Sequence, residues 1–107
     1  MEFNEGPLRA VLSTKGRKTG KEHSVELRAV FHNNRFYFSR RNQDSDWLKN
    51  AIAEPRVSIA INDLSFLGRA SLVKDEELAK KISSMKYSDK RSEDLRIVLE
   101  VIPDGLS

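Results

Sequence analysis

A short segment rich in positive charge and glycine holds the side chains best suited to chemistry. Segment 15–21 reads Lys-Gly-Arg-Lys-Thr-Gly-Lys and lies between two stretches that alternate like β-strands. Glycines let a backbone approach a ligand closely, and cationic side chains form charge-assisted hydrogen bonds with phosphate oxygens. The composition predicts an anion-binding turn at a sheet edge, although an exposed hairpin with solvated lysines would give the same pattern.

This segment is not a nucleotide P-loop. A P-loop has four residues between its glycines and a serine or threonine directly after its lysine. Here three residues separate Gly16 from Gly20, and Glu22 follows Lys21. The chain also has no cysteine, which excludes disulfides, thiolate catalysis and cysteine-ligated metal.

The two histidines offer no metal site by spacing. His23 and His32 lie near the ends of one predicted strand, without further ligands at metal-binding intervals. We expect both to be surface or turn residues.

Length and composition indicate a folded single domain spanning residues 1–107. The chain is 38% hydrophobic and 33% charged, which is typical of globular domains. No apolar run reaches the length of a membrane span, and the first residues lack the features of a signal peptide, so we expect a cytoplasmic protein away from the membrane. The net charge of +3 suits an anionic ligand or nucleic acid.

Alternating hydrophobicity predicts six strands. Val25, Leu27, Ala29 and Phe31 alternate with polar residues, so this strand should bury one face and leave residues such as Glu26 exposed. Segments 8–14, 35–39, 57–61, 66–73 and 95–102 are the other predicted strands. The same core should contain Phe36, Phe38, Val57, Ile59 and Ile61.

Two short helices are predicted between these strands. The first covers about 45–54 and ends at Pro55, and the second starts at Asp75, a suitable N-cap. Their apolar sides are Trp47, Leu48, Ala51 and Ile52 in the first helix, and Leu78, Ala79, Ile82 and Met85 in the second. The fold class is therefore mainly β, a small antiparallel barrel with helices at its ends.

The last predicted strand is apolar on both faces. Val98 and Ile102 lie on the face opposite Ile97, Leu99 and Val101, and a small barrel has little with which to cover a second apolar face. This pattern predicts a homodimer. Tyr37 faces away from Phe36 and Phe38 and could also lie at an interface.

Three segments in a fixed order resemble a known family. They are the basic hairpin 14–20, the strand end 38–41, and Trp47 to Asn50 followed by segment 54–57 with the sequence Glu-Pro-Arg-Val. Their order and spacing resemble the deazaflavin-dependent nitroreductase family, which belongs to the split β-barrel superfamily of pyridoxamine phosphate oxidase. The resemblance covers about residues 11–73 and implies a six-stranded antiparallel split β-barrel of the FMN-binding type.

The resemblance also implies a function. A flavin-type cofactor would lie in a groove, usually at a dimer interface, and would perform two-electron hydride transfer to a small organic substrate without a protein nucleophile or metal. Matching positions imply cofactor contacts at Arg17, Lys18, Thr19, Ser39, Arg40, Arg41 and Trp47. Tyr87 matches a tyrosine that larger relatives place over the substrate.

The cofactor would be the deazaflavin coenzyme F420 or FMN. The deazaflavin carries a phosphodiester and a glutamate tail, for which Lys15, Lys21 and Arg41 would be additional cationic partners. The family resemblance favours the deazaflavin. Where relatives have glycines after the serine, this chain has arginines, which favours contact through side chains.

Two other functions stay open at the level of sequence. Small barrels with basic hairpins can bind single-stranded nucleic acid, but Phe36 and Phe38 alternate like core residues, so we do not expect a stacking platform for bases. A non-catalytic cofactor-binding protein could also use the same fold, because fold alone does not determine activity.

Overall fold

A computed structural model describes residues 3, 5–16, 18–40, 45–86 and 97–104, without the side chains of Arg40 and Lys86. Within these residues the chain forms six strands and two helices. The strands are β1 (Gly6–Lys15), β2 (Glu22–His32), β3 (Arg35–Arg40), β4 (Arg56–Ile61), β5 (Leu64–Leu72) and β6 (Ile97–Pro103). The helices are α1 (Asp46–Ala53) and α2 (Glu76–Lys86).

The strands close into an antiparallel barrel in the order β1-β2-β3-β6-β5-β4. This arrangement confirms the predicted mainly β class with six strands and two short helices. β1 and β2 form the longest pairing, from Gly6 opposite Phe31 to Lys15 opposite Glu22. The basic turn therefore lies at the tip of a long, firmly paired hairpin. None of the helices in the described ranges is long and apolar enough to cross a membrane.

The predicted core face of the second strand is confirmed. Ala29 and Phe31 are buried, Val25 and Leu27 pack against them, and Glu26 is exposed. A one-residue shift in register would reverse these orientations and bury charge. Phe36, Phe38, Val57, Ile59 and Ile61 belong to the same core, as predicted.

The turn between β2 and β3 is formed by two asparagines. Asn33 and Asn34 have φ values of 55° and 64°. Asparagine tolerates this left-handed backbone, and two consecutive residues of this kind match the twist of a tight β-hairpin. The backbone N–H of Asn33 also donates to the Glu5 carboxylate, at 3.2 Å.

Helix α2 covers the outer face of the barrel. The sequence pattern of the last strand had predicted that a partner subunit covers this face. Asp75 Oδ1 accepts a hydrogen bond from Glu77 N–H at 3.0 Å and caps the helix as predicted. The predicted apolar side of α2 packs on Val30, Tyr37 and Val98. The interpretation of Val98 as an interface residue is therefore wrong, because α2 of the same chain buries it. Ile102 remains 41% exposed.

Tyr37 is also buried rather than placed at an interface. Its hydroxyl donates to Glu100 Oε2 at 2.9 Å, and Arg35 Nη1 donates to the same oxygen at 3.2 Å. Burial, together with the hydrogen bond to Glu100, raises the pKa of Tyr37 to about 12. The phenol therefore stays protonated near neutral pH and satisfies a half-buried carboxylate beneath α2.

Candidate anion-binding cleft

The basic turn between β1 and β2 is held by its own backbone. Gly16 N–H donates to the Lys21 carbonyl at 2.7 Å, and Gly20 N–H donates to the Gly16 carbonyl at 2.8 Å. Gly20 has a φ of 72°, a conformation that glycine adopts without strain. Thr19 Oγ1 accepts from Lys21 N–H at 3.2 Å. Because main-chain bonds define the turn, the exposed Lys18 side chain is not needed to hold it.

Helix α1 forms the facing wall. Leu48 and Ala51 are buried in the barrel core, and Trp47 packs edge-on against Phe38 with ring centroids 6.2 Å apart. The prediction for Ile52 is wrong, since its side chain is 49% exposed. Successive residues of a helix advance by about 100°, which places Ile52 just outside the buried arc.

Asn50 occupies the other edge of that buried arc, where a polar residue was not expected. It is 4% exposed, and its backbone carbonyl accepts from Glu54 N–H at 2.8 Å as α1 ends. The Trp47 to Asn50 segment was the available sequence signal, but helical spacing alone does not reveal a buried asparagine.

A cleft of about 280 Å³ lies between the basic turn and the start of α1. Its described lining consists of Gly16, Lys18, Thr19, His23, Asp46 and Asn50. Two residues predicted to bind the cofactor phosphate, Lys18 and Thr19, therefore meet in one cleft. The sequence interpretation missed His23, which the β1–β2 register places opposite Thr14, directly below the turn.

Two other predicted site residues that the structure describes, Ser39 and Trp47, are not part of this lining. Ser39 is buried near the end of β3, opposite Val98 on β6. The backbone of Arg40 pairs with Ile97. Arg17, Arg41 and Tyr87 lie outside the described residues.

A second pocket, of about 420 Å³, lies where β1 and β4 approach the turn. Lys15 and Arg56 contribute positive charge to its lining, and Ser13 and Ser58 contribute hydroxyls. Thr14 also lines it, and the Thr14 Oγ1 atom is buried without a hydrogen-bond partner in the described part of the chain. Glu22 adds a carboxylate to this lining, and Arg56 is paired with Asp104 at 3.0 Å, so the charge of the pocket is mixed.

The first cleft is lined by a cation and a hydroxyl and also by the carboxylate of Asp46. Lys18 offers an ammonium group and Thr19 a hydroxyl, while Gly16 leaves backbone accessible. Across the described ranges, no group of three or more metal-binding side chains could hold an ion. Lys18 and Thr19 are the groups of this lining that suit contact with a phosphate.

Comparison with protein families identifies the family of the chain. The family model of the F420H(2)-dependent quinone reductases matches residues 1–95. The chain belongs to this family. Membership confirms the predicted resemblance to deazaflavin-dependent reductases. A separate comparison with curated proteins found no match.

Solved structures share the fold. A structure of an F420-H2 dependent reductase superposes with a TM-score of 0.69 at 24% identity, covering 87% of this chain and 92% of that one. A structure from Listeria innocua that is described as a pyridoxamine 5′-phosphate oxidase gives a TM-score of 0.70 at 18% identity, covering 90% of this chain and 83% of that one. A structure described as a domain-swapped dimer gives 0.68 at 24% identity, covering 87% and 78%. These similarities confirm the split β-barrel.

Family membership resolves the choice of cofactor and of function class. This member of the F420H(2)-dependent quinone reductases is a deazaflavin-dependent oxidoreductase, and its cofactor is coenzyme F420 rather than FMN. The nucleic-acid and non-catalytic alternatives are accordingly set aside.

Proposed function

We propose that the protein transfers a hydride from reduced F420 to a quinone, with the phosphodiester end of the cofactor bound in the cleft between the basic turn and α1. The observation that supports this most strongly is that Lys18 and Thr19 line one cleft at the tip of the β1–β2 hairpin. Bound F420 supplies the hydride chemistry, and the protein supplies binding and orientation.

The cleft suits one part of the cofactor. Pockets for drug-sized ligands have volumes of about 300–1,000 Å³, so about 280 Å³ would accommodate the phosphate and its immediate neighbours rather than the whole molecule. Lys18 would neutralise the phosphodiester, and Thr19 would donate a hydroxyl hydrogen bond. Lys15, which lines the second pocket, would contact part of the acidic tail.

The remaining predicted residues complete the proposal. Arg17 precedes Lys18 in the turn and would provide a second cation for the phosphate. Ser39, Arg40 and Arg41 would approach the cofactor from the end of β3. Trp47 packs on Phe38 and would provide an aromatic edge that excludes water from the reacting ring. Tyr87 would contact the substrate.

The family name indicates a quinone as the acceptor. A quinone that accepts one hydride and one proton becomes a hydroquinone, so the reaction requires no further redox partner. When the protein is mixed anaerobically with reduced F420 and the quinone menadione, the absorbance of oxidised F420 should appear in proportion to quinone consumed. A nitroaromatic acceptor of similar size should react more slowly. Cofactor oxidation at the same rate without protein, or without quinone, would contradict the proposal.

We also propose that the protein is a homodimer. Leu67 on β5 is 54% exposed. Ile102 on the adjacent strand β6 is also exposed, and it pairs with Arg69, which lies two residues after Leu67 on β5. Exposed apolar side chains that lie together are typical of subunit interfaces, and one similar structure is described as a domain-swapped dimer. Light scattering at tens of micromolar protein should give the mass of a dimer, and Leu67→Lys should shift it toward a monomer. A monomeric mass for the unmodified protein would refute dimerisation.

A further inference from the structure

His23 is an exposed residue of β2 that also lines the cleft. It lies near the start of β2, opposite Thr14, and lines the cleft together with Lys18 from the turn and Asp46 from α1. No motif of the family resemblance includes it. Its position follows from the register of the hairpin, which brings the first residues of β2 beneath the basic turn.

The glycine at position 16 makes room for this imidazole. The φ of Gly16 lies outside the left-handed region, so the backbone does not require glycine there. A Cβ atom at Gly16 would instead lie 2.9 Å from His23 Nε2 and 3.0 Å from Thr19 Oγ1. The turn is therefore shaped so that the His23 ring rests directly against it.

Histidine is the residue type in the described lining whose charge changes near neutral pH. Lysine and aspartate keep their charges between pH 5 and 8, whereas histidine side chains gain or lose a proton in that range. Lys18 on the turn and Asp46 on α1 share the cleft with His23, and Glu22 and Lys21 precede it along the chain. The imidazolium would add a second cation beside Lys18.

We propose that protonated His23 binds the phosphate of the cofactor and makes cofactor affinity pH-dependent. This inference rests on the proposed location of the phosphodiester in the cleft. An anion stabilises the charged imidazolium, so the additional affinity is present at acidic pH and is lost as the imidazole loses its proton. The contact is charge-assisted, in contrast to the hydrogen bond that a neutral ring could donate.

Titration with F420 at pH 5.5 and pH 8.0 tests this inference with a matched control. For each protein, the affinity at pH 5.5 is divided by the affinity at pH 8.0. This ratio should be about tenfold larger for the wild type than for His23→Gln. Any ionisation of the cofactor itself is common to both proteins. His32→Gln removes the other histidine, which lies at the far end of β2 with its Nδ1 3.2 Å from Glu5 Oε1, and should behave like the wild type. Equal pH dependence in wild type and His23→Gln would overturn the inference.

Gly16→Ala tests the geometry without removing the histidine. The added Cβ should displace the His23 ring from the turn, so this variant should also lose the pH-dependent part of the affinity. If Gly16→Ala keeps it in full, the close contact between ring and turn has no role in binding.

Inorganic pyrophosphate separates this inference from the proposed cofactor site. The chain has two histidines, His23 and His32. At pH 6, pyrophosphate should shift the ring-proton NMR signals of His23 and leave those of His32 unchanged. If F420 fails to bind while His23 responds to pyrophosphate, the cofactor site is wrong and the anion contact stands. If F420 binds to a protein in which His23 responds to neither ligand, the inference about His23 fails alone.

Discussion

Replacing Arg17 and Lys18 together by alanine is expected to weaken F420 binding by about a hundredfold to ten-thousandfold. Each charge-assisted hydrogen bond to phosphate contributes roughly 1.5–3 kcal/mol. Every 1.4 kcal/mol corresponds to about a tenfold change in the dissociation constant, and the two contributions combine. Lys18→Ala alone should weaken binding by about ten- to a hundredfold. Isothermal titration calorimetry with oxidised F420 measures these differences.

The fold should survive this double substitution. Main-chain hydrogen bonds such as Gly16 N–H to the Lys21 carbonyl define the turn, and Lys18 is exposed. Lys80→Ala combined with Lys81→Ala removes the same charge from the exposed part of α2, which packs on a different apolar cluster from α1. This control should retain wild-type affinity.

Salt provides a second criterion. Raising the ionic strength should weaken binding by the wild type more than by the double variant, because salt screens the charges that the variant lacks. An equal loss of affinity in the variant and in the α2 control would show that net charge, and not the cleft, attracts the cofactor.

Phe36→Ala should produce the largest loss of stability, about 3–5 kcal/mol in the free energy of unfolding. Phe36 is fully buried, and its ring lies 5.5 Å from Phe3, 5.0 Å from Phe31 and 5.4 Å from Phe66 between ring centroids. The truncation removes buried apolar surface and leaves a cavity that the surrounding barrel cannot fill. Urea denaturation should show an earlier midpoint with an unchanged slope.

Two further variants bracket this result. Leu67→Ala truncates a largely exposed side chain on β5 and should change stability by no more than about 0.5 kcal/mol when measured at a protein concentration where the chain is monomeric. Phe36→Leu should give an intermediate loss, which keeps the test valid if the alanine variant does not fold. A loss below about 1 kcal/mol for Phe36→Ala would mean that the aromatic cluster is not the centre of the core.

Local patterns were sufficient to predict most of the fold. Alternation in β2 specifies which residues enter the barrel, since a shift by one would bury Glu26. Asp75 and Pro55 mark helix ends through hydrogen bonding and backbone geometry, which depend on neighbouring residues alone. Val98 and Tyr37 were misassigned because what covers an apolar strand face depends on where a distant helix packs. The spacing of residues within β6 does not contain that information.

The candidate site was predictable where its residues are neighbours in the sequence. Lys18 and Thr19 belong to one turn, so composition was enough to place them together. His23 joins them only through the register across the hairpin, and that register depends on how the turn closes between Lys15 and Glu22. Asp46 and Asn50 join them only because α1 packs across the end of the barrel.

Equilibrium titration of the purified protein with oxidised F420, with FMN measured in parallel, tests the central claim most directly. The account predicts saturable binding of one F420 per chain, weaker binding of FMN, and loss of F420 affinity in the Arg17→Ala and Lys18→Ala variants. Absence of F420 binding at high micromolar protein, or F420 binding that both alanine variants leave unchanged, would contradict it.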